Sequence, residues 1–319
     1  MKRLGLGFNL STKKTRKREF LEEMEHVVPW GVLVQVVDPY YPKAKTGRPP
    51  FPVETMLRIH YLQQWFGLSD PAMEEALHDV PLYREFARLE GATDRLPDET
   101  TILRFRHLLE KHNLAVDMLR VVNDLLGYKG LMLRSGTAID ATLIAAPSST
   151  KNIEGERYPE MKQSKKGNNY YFGMKAHIGV DAASGLVHTV VTTSGNVSDI
   201  NMAGALLHGD EEAAFGGAGY QGVHKRPEAA GPTWHVAMRP GKRRLLNPFI
   251  EPDFVAERAE KMKASIRAKV EHPFRVLKRQ FGFTKVRYRG LFKNTSQIVT
   301  LFALSNLWMA RKQLMEMRG

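Results

Sequence analysis

Three charged side chains in the last quarter of the sequence, Arg267, Glu271 and Lys278, have the spacing of groups that share one face of a helix. An α-helix turns by about 100° per residue, which places Glu271 about 40° and Lys278 about 20° from Arg267. A carboxylate between two cations suits a site where a metal ion meets a phosphate. The alternative interpretation is a stripe of surface salt bridges, so a reactive site needs partners from elsewhere in the chain.

The helix that carries these residues also has an apolar face, which we expect to pack against a core. This face consists of Val270, Phe274, Leu277 and Phe281. The helical region begins near Asp253 and contains Pro273, which removes a backbone donor and costs about 3 kcal/mol unless the helix kinks. We therefore predict a bend just after Glu271. A last helix is predicted over residues 298–315.

A further carboxylate, Asp140, lies in a short run with the composition of a β-strand. The elements predicted after residue 130 are strands at 137–144, 175–180 and 186–191, a helix at 196–208, strands at 213–215 and 233–238, and the long helices. This order is that of an α/β fold with an RNase H-like core, a mixed sheet covered by helices. Asp140 and Glu271 would meet there, and two carboxylates can hold a pair of divalent ions about 4 Å apart. Mg²⁺ or Mn²⁺ fits such oxygen ligands.

The region from about residue 53 to 128 has the pattern of densely packed helices. In one of them, over residues 101–110, the apolar residues Ile102, Phe105 and Leu109 form one face, and we expect Arg104 and Arg106 elsewhere on the helix surface. Short helices, tight turns and an arginine-bearing helix are typical of a helix-turn-helix DNA-binding domain. Because many other helical bundles contain such helices, this pattern alone does not establish DNA binding.

The composition also favours a polyanionic partner. The chain has 319 residues, a formal net charge of +13 and a pI near 9.8. Nucleic acid is the first candidate and an anionic membrane surface the second, but the sequence has neither an apolar run of about 18 residues nor a signal-peptide pattern. The lack of cysteine excludes disulfides, zinc–thiolate sites and cysteine nucleophiles, and we expect a cytosolic protein.

Cations that could contact phosphates occur in three further stretches. The basic run at 13–18 is either an arm on DNA or a solvated terminus. Arg48 lies in a segment rich in glycine and proline that is either a linker or a basic clamp. Residues 148–169 are polar, and we expect a long flexible loop there. The lysines of this loop include Lys162, Lys165 and Lys166.

Three blocks of the sequence carry a resemblance to a known family. They are Gly136–Thr142 around Asp140, Ala218–Gly222, and the Arg267, Glu271, Lys278 spacing. The blocks occur together, in order and at suitable separations. On this basis the chain resembles, over nearly its whole length, the DDE transposases of bacterial insertion sequences, specifically the family named after insertion sequence 5. The helical N-terminal part, with Arg48 between Gly47 and Pro49, is similar to the end-binding domain of that family.

The resemblance implies a domain organisation and a set of partners. We expect a basic arm and linker at 1–50, an all-helical, helix-turn-helix-like DNA-binding domain at 51–129 and an RNase H-like catalytic domain at 130–319. The partners would be double-stranded DNA, as terminal inverted repeats and as target, and further copies of the chain, at least a dimer in synapsis. The place of action would be the bacterial cytoplasm, at the nucleoid.

The resemblance also assigns roles to single residues. It implies that Asp140 and Glu271 ligate the metal, while Arg267 and Lys278 contact DNA near the scissile phosphate. It further implies two-metal-ion chemistry, in which water hydrolyses a strand and the 3′-OH then attacks target DNA. The tyrosine that usually stands three positions before the arginine is replaced here by Ala264, which removes no metal ligand.

The chain departs from the family at the second aspartate, where Gly217 stands. The acidic residues at 210–212 would be roughly 16 Å or more from that position along an extended strand. Asp181 and Asp199 are possible replacements, but they are better explained as a turn residue and a helix N-terminal residue. With one of three carboxylates lost, we expect weak metal binding and little or no strand cleavage.

Three functions therefore remain open. The first is a transposase that binds its element's ends and is impaired at Gly217. The second is a catalytically inactive, transposase-derived DNA-binding protein or repressor with the same fold and partner. The third, a nuclease for RNA–DNA hybrids, shares the carboxylate core but does not need the helical N-terminal domain or the basic stretch at 148–169.

Overall fold

A computed structural model of the chain describes residues 14–43, 48–89, 95–150, 155–247 and 249–317. The N-terminal part is helical, as predicted. Its α-helices are α1 (Arg16–Val27), α2 (Trp30–Val37), α3 (Val53–Phe66), α4 (Asp70–Asp79), α5 (Pro81–Ala87), α6 (Glu99–Lys111) and α7 (Leu114–Tyr128). Local chemistry sets their ends: Gly67 closes α3 with a left-handed φ of 68°, and the Asp98 carboxylate caps α6 by accepting from the Thr101 N–H at 2.7 Å.

A mixed sheet follows. Its strands are β1 (Gly136–Ala145), β2 (Lys162–Lys166), β3 (Asn169–Asp181), β4 (Val187–Ser194), β5 (Ala213–Gly216) and β6 (Thr233–Val236). The strand order is β2-β3-β1-β5-β6, and β4 pairs with β3. β1 is antiparallel to β3 but parallel to β5, and β5 is parallel to β6. This is the mixed sheet of an RNase H-like core, with β1 in its interior.

The C-terminal part returns to helices, namely α8 (Pro240–Arg243), α9 (Glu251–Ala268), α10 (Glu271–Arg275), a π-helical turn (Val276–Gln280) and α11 (Leu291–Glu316). The bend was predicted just after Glu271, but the α-helix is interrupted just before it. Pro273 has no N–H to give to the Lys269 carbonyl, and the His272 N–H bonds to that carbonyl instead, at 3.1 Å. The tighter turn at 269–270 therefore separates α9 from α10.

One large hydrophobic core joins the helices to one face of the sheet. It contains Leu21 and Met24 of α1, Leu33 of α2, and Ile298 and Leu304 of α11, all at most 2% exposed. The segment expected to be an arm and linker thus includes two helices that pack into the common core. A smaller cluster on the sheet contains Ile139 of β1 together with Leu206, Tyr220 and Val223.

Two local predictions were wrong. Within the stretch expected to be a loop at 148–169, residues 162–166 form β2, which pairs antiparallel with the start of β3. The helix expected at 196–208 is replaced by two short 3₁₀ turns, Asp199–Met202 and Gly204–Leu206. A Cβ at Gly204 would lie 1.9 Å from the Glu228 carbonyl oxygen, so the close approach of another backbone segment fixes the path of these turns.

No helix in the described part of the chain has the length and apolarity to cross a bilayer.

Arg106 was expected on the surface of its helix, but it is buried. Its guanidinium lies 2.9 Å from Asp70 and 2.7 Å from Glu110, and it stacks on the Tyr288 ring at 4.1 Å. The hydrogen bonds and charge of Arg106 hold the pKa of Asp70 below its ordinary value, against the opposing effect of burial. Arg106 therefore ties α4 and α6 to the C-terminal part and has no free face for DNA.

We expect Arg106→Ala to lower the free energy of unfolding by about 3 kcal/mol or more, because it leaves the buried Glu110 and the half-buried Asp70 without their cation. Arg104→Ala, on the same helix but exposed, should change it by less than about 0.5 kcal/mol. Urea denaturation of both variants beside the parent chain measures the difference. Equal stability of the two variants would contradict the structural role of Arg106.

Candidate active site

The position of the missing aspartate lies beside Asp140. In the parallel pair formed by β1 and β5, Ile139 is in register with Gly216. Asp140 follows Ile139 in β1, and Gly217 directly follows the last residue of β5. Adjacent strands are about 4.8 Å apart. Asp140 is half-buried, and its carboxylate accepts a hydrogen bond from the Ala141 N–H at 2.8 Å. A side chain at Gly217 would therefore begin next to Asp140.

A cation occupies the space that such a side chain would need. A Cβ placed on Gly217 would lie 2.9 Å from Nη2 and 3.4 Å from Cζ of Arg267. Arg267 belongs to the last turn of α9, which packs against β5 and β1. The guanidinium thus lies against the backbone at the position where the sequence resemblance predicts a carboxylate.

The buried ring of Tyr220 lies among the charged groups of this site. Burial raises the pKa of the Tyr220 hydroxyl, the charges of Asp140 and Asp199 raise it further, and Arg267 opposes them. The hydroxyl oxygen makes no hydrogen bond to any described residue. Tyr220 is therefore neutral at every physiological pH, and its hydroxyl is an unused donor close to Asp140 and Arg267.

The other end of the predicted helical stripe also reaches β1. The Lys278 ammonium donates to Thr142 Oγ1 at 2.5 Å and to the Leu143 carbonyl at 3.2 Å. Thr142 is two residues beyond Asp140, so both side chains leave the strand on the same face. Arg267 at Gly217 and Lys278 at Thr142 therefore bracket Asp140. Between them on the helical segment lies Glu271, whose side chain is exposed.

The two aspartates considered as replacements both have partners elsewhere in the fold. Asp181 accepts from the Arg134 and Ser184 N–H groups at 2.9 and 2.7 Å, which is the turn role expected for it. Asp199 begins a 3₁₀ turn and pairs with the Lys175 ammonium at 2.8 Å.

The site as it stands does not fit a pair of divalent cations. Such a pair needs several carboxylate oxygens around it. Asp140 and Glu271 are two candidate ligands, but at the third position Arg267 brings a fixed positive charge beside Asp140. A guanidinium there opposes a metal ion by like-charge repulsion and offers no lone pair.

The structure separates the predicted DNA-binding residues. Arg48, Arg104, Lys162 and Lys165 have exposed side chains, and the side chain of Lys166 lies outside what the structure describes. In β2 successive side chains alternate between faces, so Lys162 and Lys165 point to opposite sides of the strand. Arg106 is not a candidate DNA-binding residue, because its guanidinium is buried and paired with Asp70 and Glu110.

Sequence reasoning missed two other groups of residues. Tyr220 was noted only as part of a sequence block, and its burial among the charges depends on how β5 packs. One ligand atom from each of His188, His208 and Glu211 lies within 4.8 Å of the other two. His208 and Glu211 are three residues apart, but His188 comes from β4, and no spacing in the sequence reveals that approach. His177 and His188 lie in β3 and β4, where their rings contact the hydroxyl groups of Thr193 and Thr137.

The fold and the paired positions beside Asp140 define a transposase of the DDE class. Residues 132–307 match the family model described as Transposase DDE domain, and residues 8–108 match a transposase domain (DUF772). The first match covers more than half of the chain, so the protein belongs to the DDE transposase family, whose members normally use a divalent metal. No solved structure matches the chain.

We expect Gly217→Asp to bind Mn²⁺ about tenfold or more tighter than the parent chain, because it adds a carboxylate beside Asp140 and a counter-charge to Arg267. The new side chain meets only the far end of a flexible arginine, so the variant should fold. Isothermal titration with Mn²⁺ measures the gain. Gly219→Asp is the matched control, since a Cβ there has nothing within 4 Å. Equal Mn²⁺ affinity in the two variants would refute the assignment of position 217.

Proposed function

We propose that this protein is a DNA-binding transposase of an insertion sequence that holds its element's ends but has lost most or all of its strand-cleaving activity. The observation that carries the proposal is the Arg267 guanidinium lying against Gly217, beside Asp140. The family membership supports the transposase origin. The membership in the family named after insertion sequence 5 rests on the sequence blocks and is part of the proposal.

The loss of cleavage follows from the charge of the site. In the family, carboxylates hold the ions that activate the nucleophile and stabilise the leaving oxygen. Here one carboxylate is absent and a guanidinium lies in its place, which lowers the affinity for cations next to Asp140. Hydrolysis of a strand and attack of the 3′-OH on target DNA would both suffer, since both need the same ions.

The capacity to bind DNA does not depend on the missing aspartate. A guanidinium forms paired hydrogen bonds with phosphate oxygens, and Arg267 is one of two cations that bracket Asp140. Beyond the site, Arg48, Arg104 and Lys162 are exposed, and the chain carries a net charge of +13. We propose that these cations contact phosphates of the terminal repeats and of target DNA.

The assembly and the place of action are also proposals. Bringing two element ends together needs at least two copies of the chain, so we propose a dimer or a higher oligomer on DNA. We further propose that the protein acts on the bacterial nucleoid. The chain's cationic surface supports both, because it favours attraction to DNA over association of free copies.

In a strand-cleavage assay on DNA taken from both flanks of the gene, the parent chain should give little or no Mg²⁺-dependent product. Gly217→Asp should raise the initial rate by about a hundredfold or more, since restoring a metal ligand recovers several kcal/mol of transition-state stabilisation. Gly219→Asp provides the comparison at equal net charge. Robust cleavage by the parent chain would sink the proposal of lost activity while leaving DNA binding intact.

For DNA binding, the slope of log K against log salt should fall by about 0.9 for each phosphate contact removed. Lys162→Ala and Lys165→Ala should each show this fall if both lysines contact phosphates. Because their side chains point to opposite faces of β2, a fall in one variant only would identify the face turned toward DNA. Lys312→Ala, an exposed lysine on α11, is the control. An unchanged slope in both β2 variants would remove this strand from the interface.

A further inference from the structure

A second polar cluster lies away from Asp140, near the start of β1. One possible ligand atom from each of His188, His208 and Glu211 lies within 4.8 Å of the other two. His188 belongs to β4, and His208 and Glu211 flank the turn that leads into β5. Thr137 of β1, fully buried, contacts both His188 and Glu211. The cluster is about 10 Å along the strand from Asp140.

The atoms of this cluster are spaced as ligands of one ion would be. His208 Nε2 lies 3.5 Å from Glu211 Oε1. In a tetrahedral zinc site with bonds of about 2.0–2.1 Å, two ligand atoms are roughly 3.4 Å apart. The Thr137 hydroxyl oxygen lies 2.9 Å from Glu211 Oε1 and 3.1 Å from His188 Nε2, which closes the group on its β1 side.

One nitrogen of the cluster lacks the hydrogen bond that burial demands. The Nε2 atom of His208 is shielded from solvent and makes no hydrogen bond to a described residue. The other ring nitrogen, Nδ1, faces Asp210, at 3.3 Å from its backbone nitrogen and 4.0 Å from its carboxylate. Buried polar atoms without a partner are uncommon in native proteins, and an ion is one of the groups that satisfies them.

The charge states of the cluster also suit a cation. Burial lowers the pKa of His188 to about 3, and the nearby His208 acts in the same direction, so the imidazole is neutral and has a lone pair available. Burial alone would raise the pKa of Glu211, but the N–H groups of His208 and Gly209 and the Thr137 hydroxyl donate to its carboxylate and lower the pKa. The cluster thus presents the neutral imidazole of His188 and a carboxylate beside the His208 ring.

We propose that His188, His208 and Glu211 form a structural zinc site that fastens β4 and the turn before β5 to β1. Two nitrogens and one carboxylate oxygen are ligands that Zn²⁺ accepts, whereas Mg²⁺ prefers an all-oxygen shell. Thr137 or a water fills the fourth position. Because β1 and β5 carry the positions of Asp140 and Gly217, the ion would fix the strands of the other site without taking part in its chemistry.

The test uses the full chain, freed of metal with a chelator and titrated with Zn²⁺ by isothermal calorimetry. We expect one zinc per chain and a rise of a few degrees in Tm at saturating zinc, with no such rise for Mg²⁺ at the same concentration. His208→Gln and Glu211→Gln should each weaken zinc binding on the order of a hundredfold. His224→Gln, which changes an exposed histidine outside the cluster, should bind like the parent chain.

A second measurement does not depend on whether the variants fold. X-ray absorption at the zinc edge of the loaded parent chain should show two imidazoles in the first coordination shell. A shell with fewer than two imidazoles, or zinc binding that His224→Gln weakens as much as His208→Gln does, would overturn the proposal. Absence of stoichiometric zinc would assign the cluster to hydrogen bonding alone. Neither result would bear on strand cleavage or on DNA binding.

Discussion

The parallel pairing of β1 with β5 is the contact on which the site depends. Because Ile139 is in register with Gly216, the residues that follow on the two strands are brought side by side. The neighbour of Asp140 is therefore fixed by backbone hydrogen bonds and does not depend on any side chain at position 217. The geometry that would hold two carboxylates together has persisted in a chain that has only one of them there.

Removing a carboxylate from such a site changes the placement of its neighbours as well as its charge. With an aspartate at 217, the side chain would need the space that the Arg267 guanidinium occupies, since a Cβ alone comes within 2.9 Å of Nη2. Glycine leaves that space open, and the arginine fills it. The guanidinium charge then lies where the side chain of an aspartate would stand, which favours phosphate over metal.

The sequence predicted most of the fold and part of the site, for physical reasons that can be traced to particular elements. The strand around Asp140, the hairpin and the long helices have strong local patterns, and all were found. The burial of Arg106 could not be predicted, because helical periodicity does not show that the carboxylates of Asp70 and Glu110 both pair with its guanidinium. The 3₁₀ turns at 199–206 depend on a backbone approach to Gly204 from residue 228, a contact between distant segments.

Arg267 and Lys278 stay beside Asp140 because the apolar residues of the same stretch of chain are buried in the core. Val270 and Leu277 are at most 1% exposed, and Phe281 is also buried in the main core. Burial of such side chains contributes roughly 1.5–3 kcal/mol each, which fixes the rotation of the segment about its axis. With that rotation fixed, Arg267 and Lys278 must face the ends of β5 and β1, whatever residue stands at 217. The two cations beside Asp140 therefore keep their places without a carboxylate at 217, since core packing and not metal binding orients them.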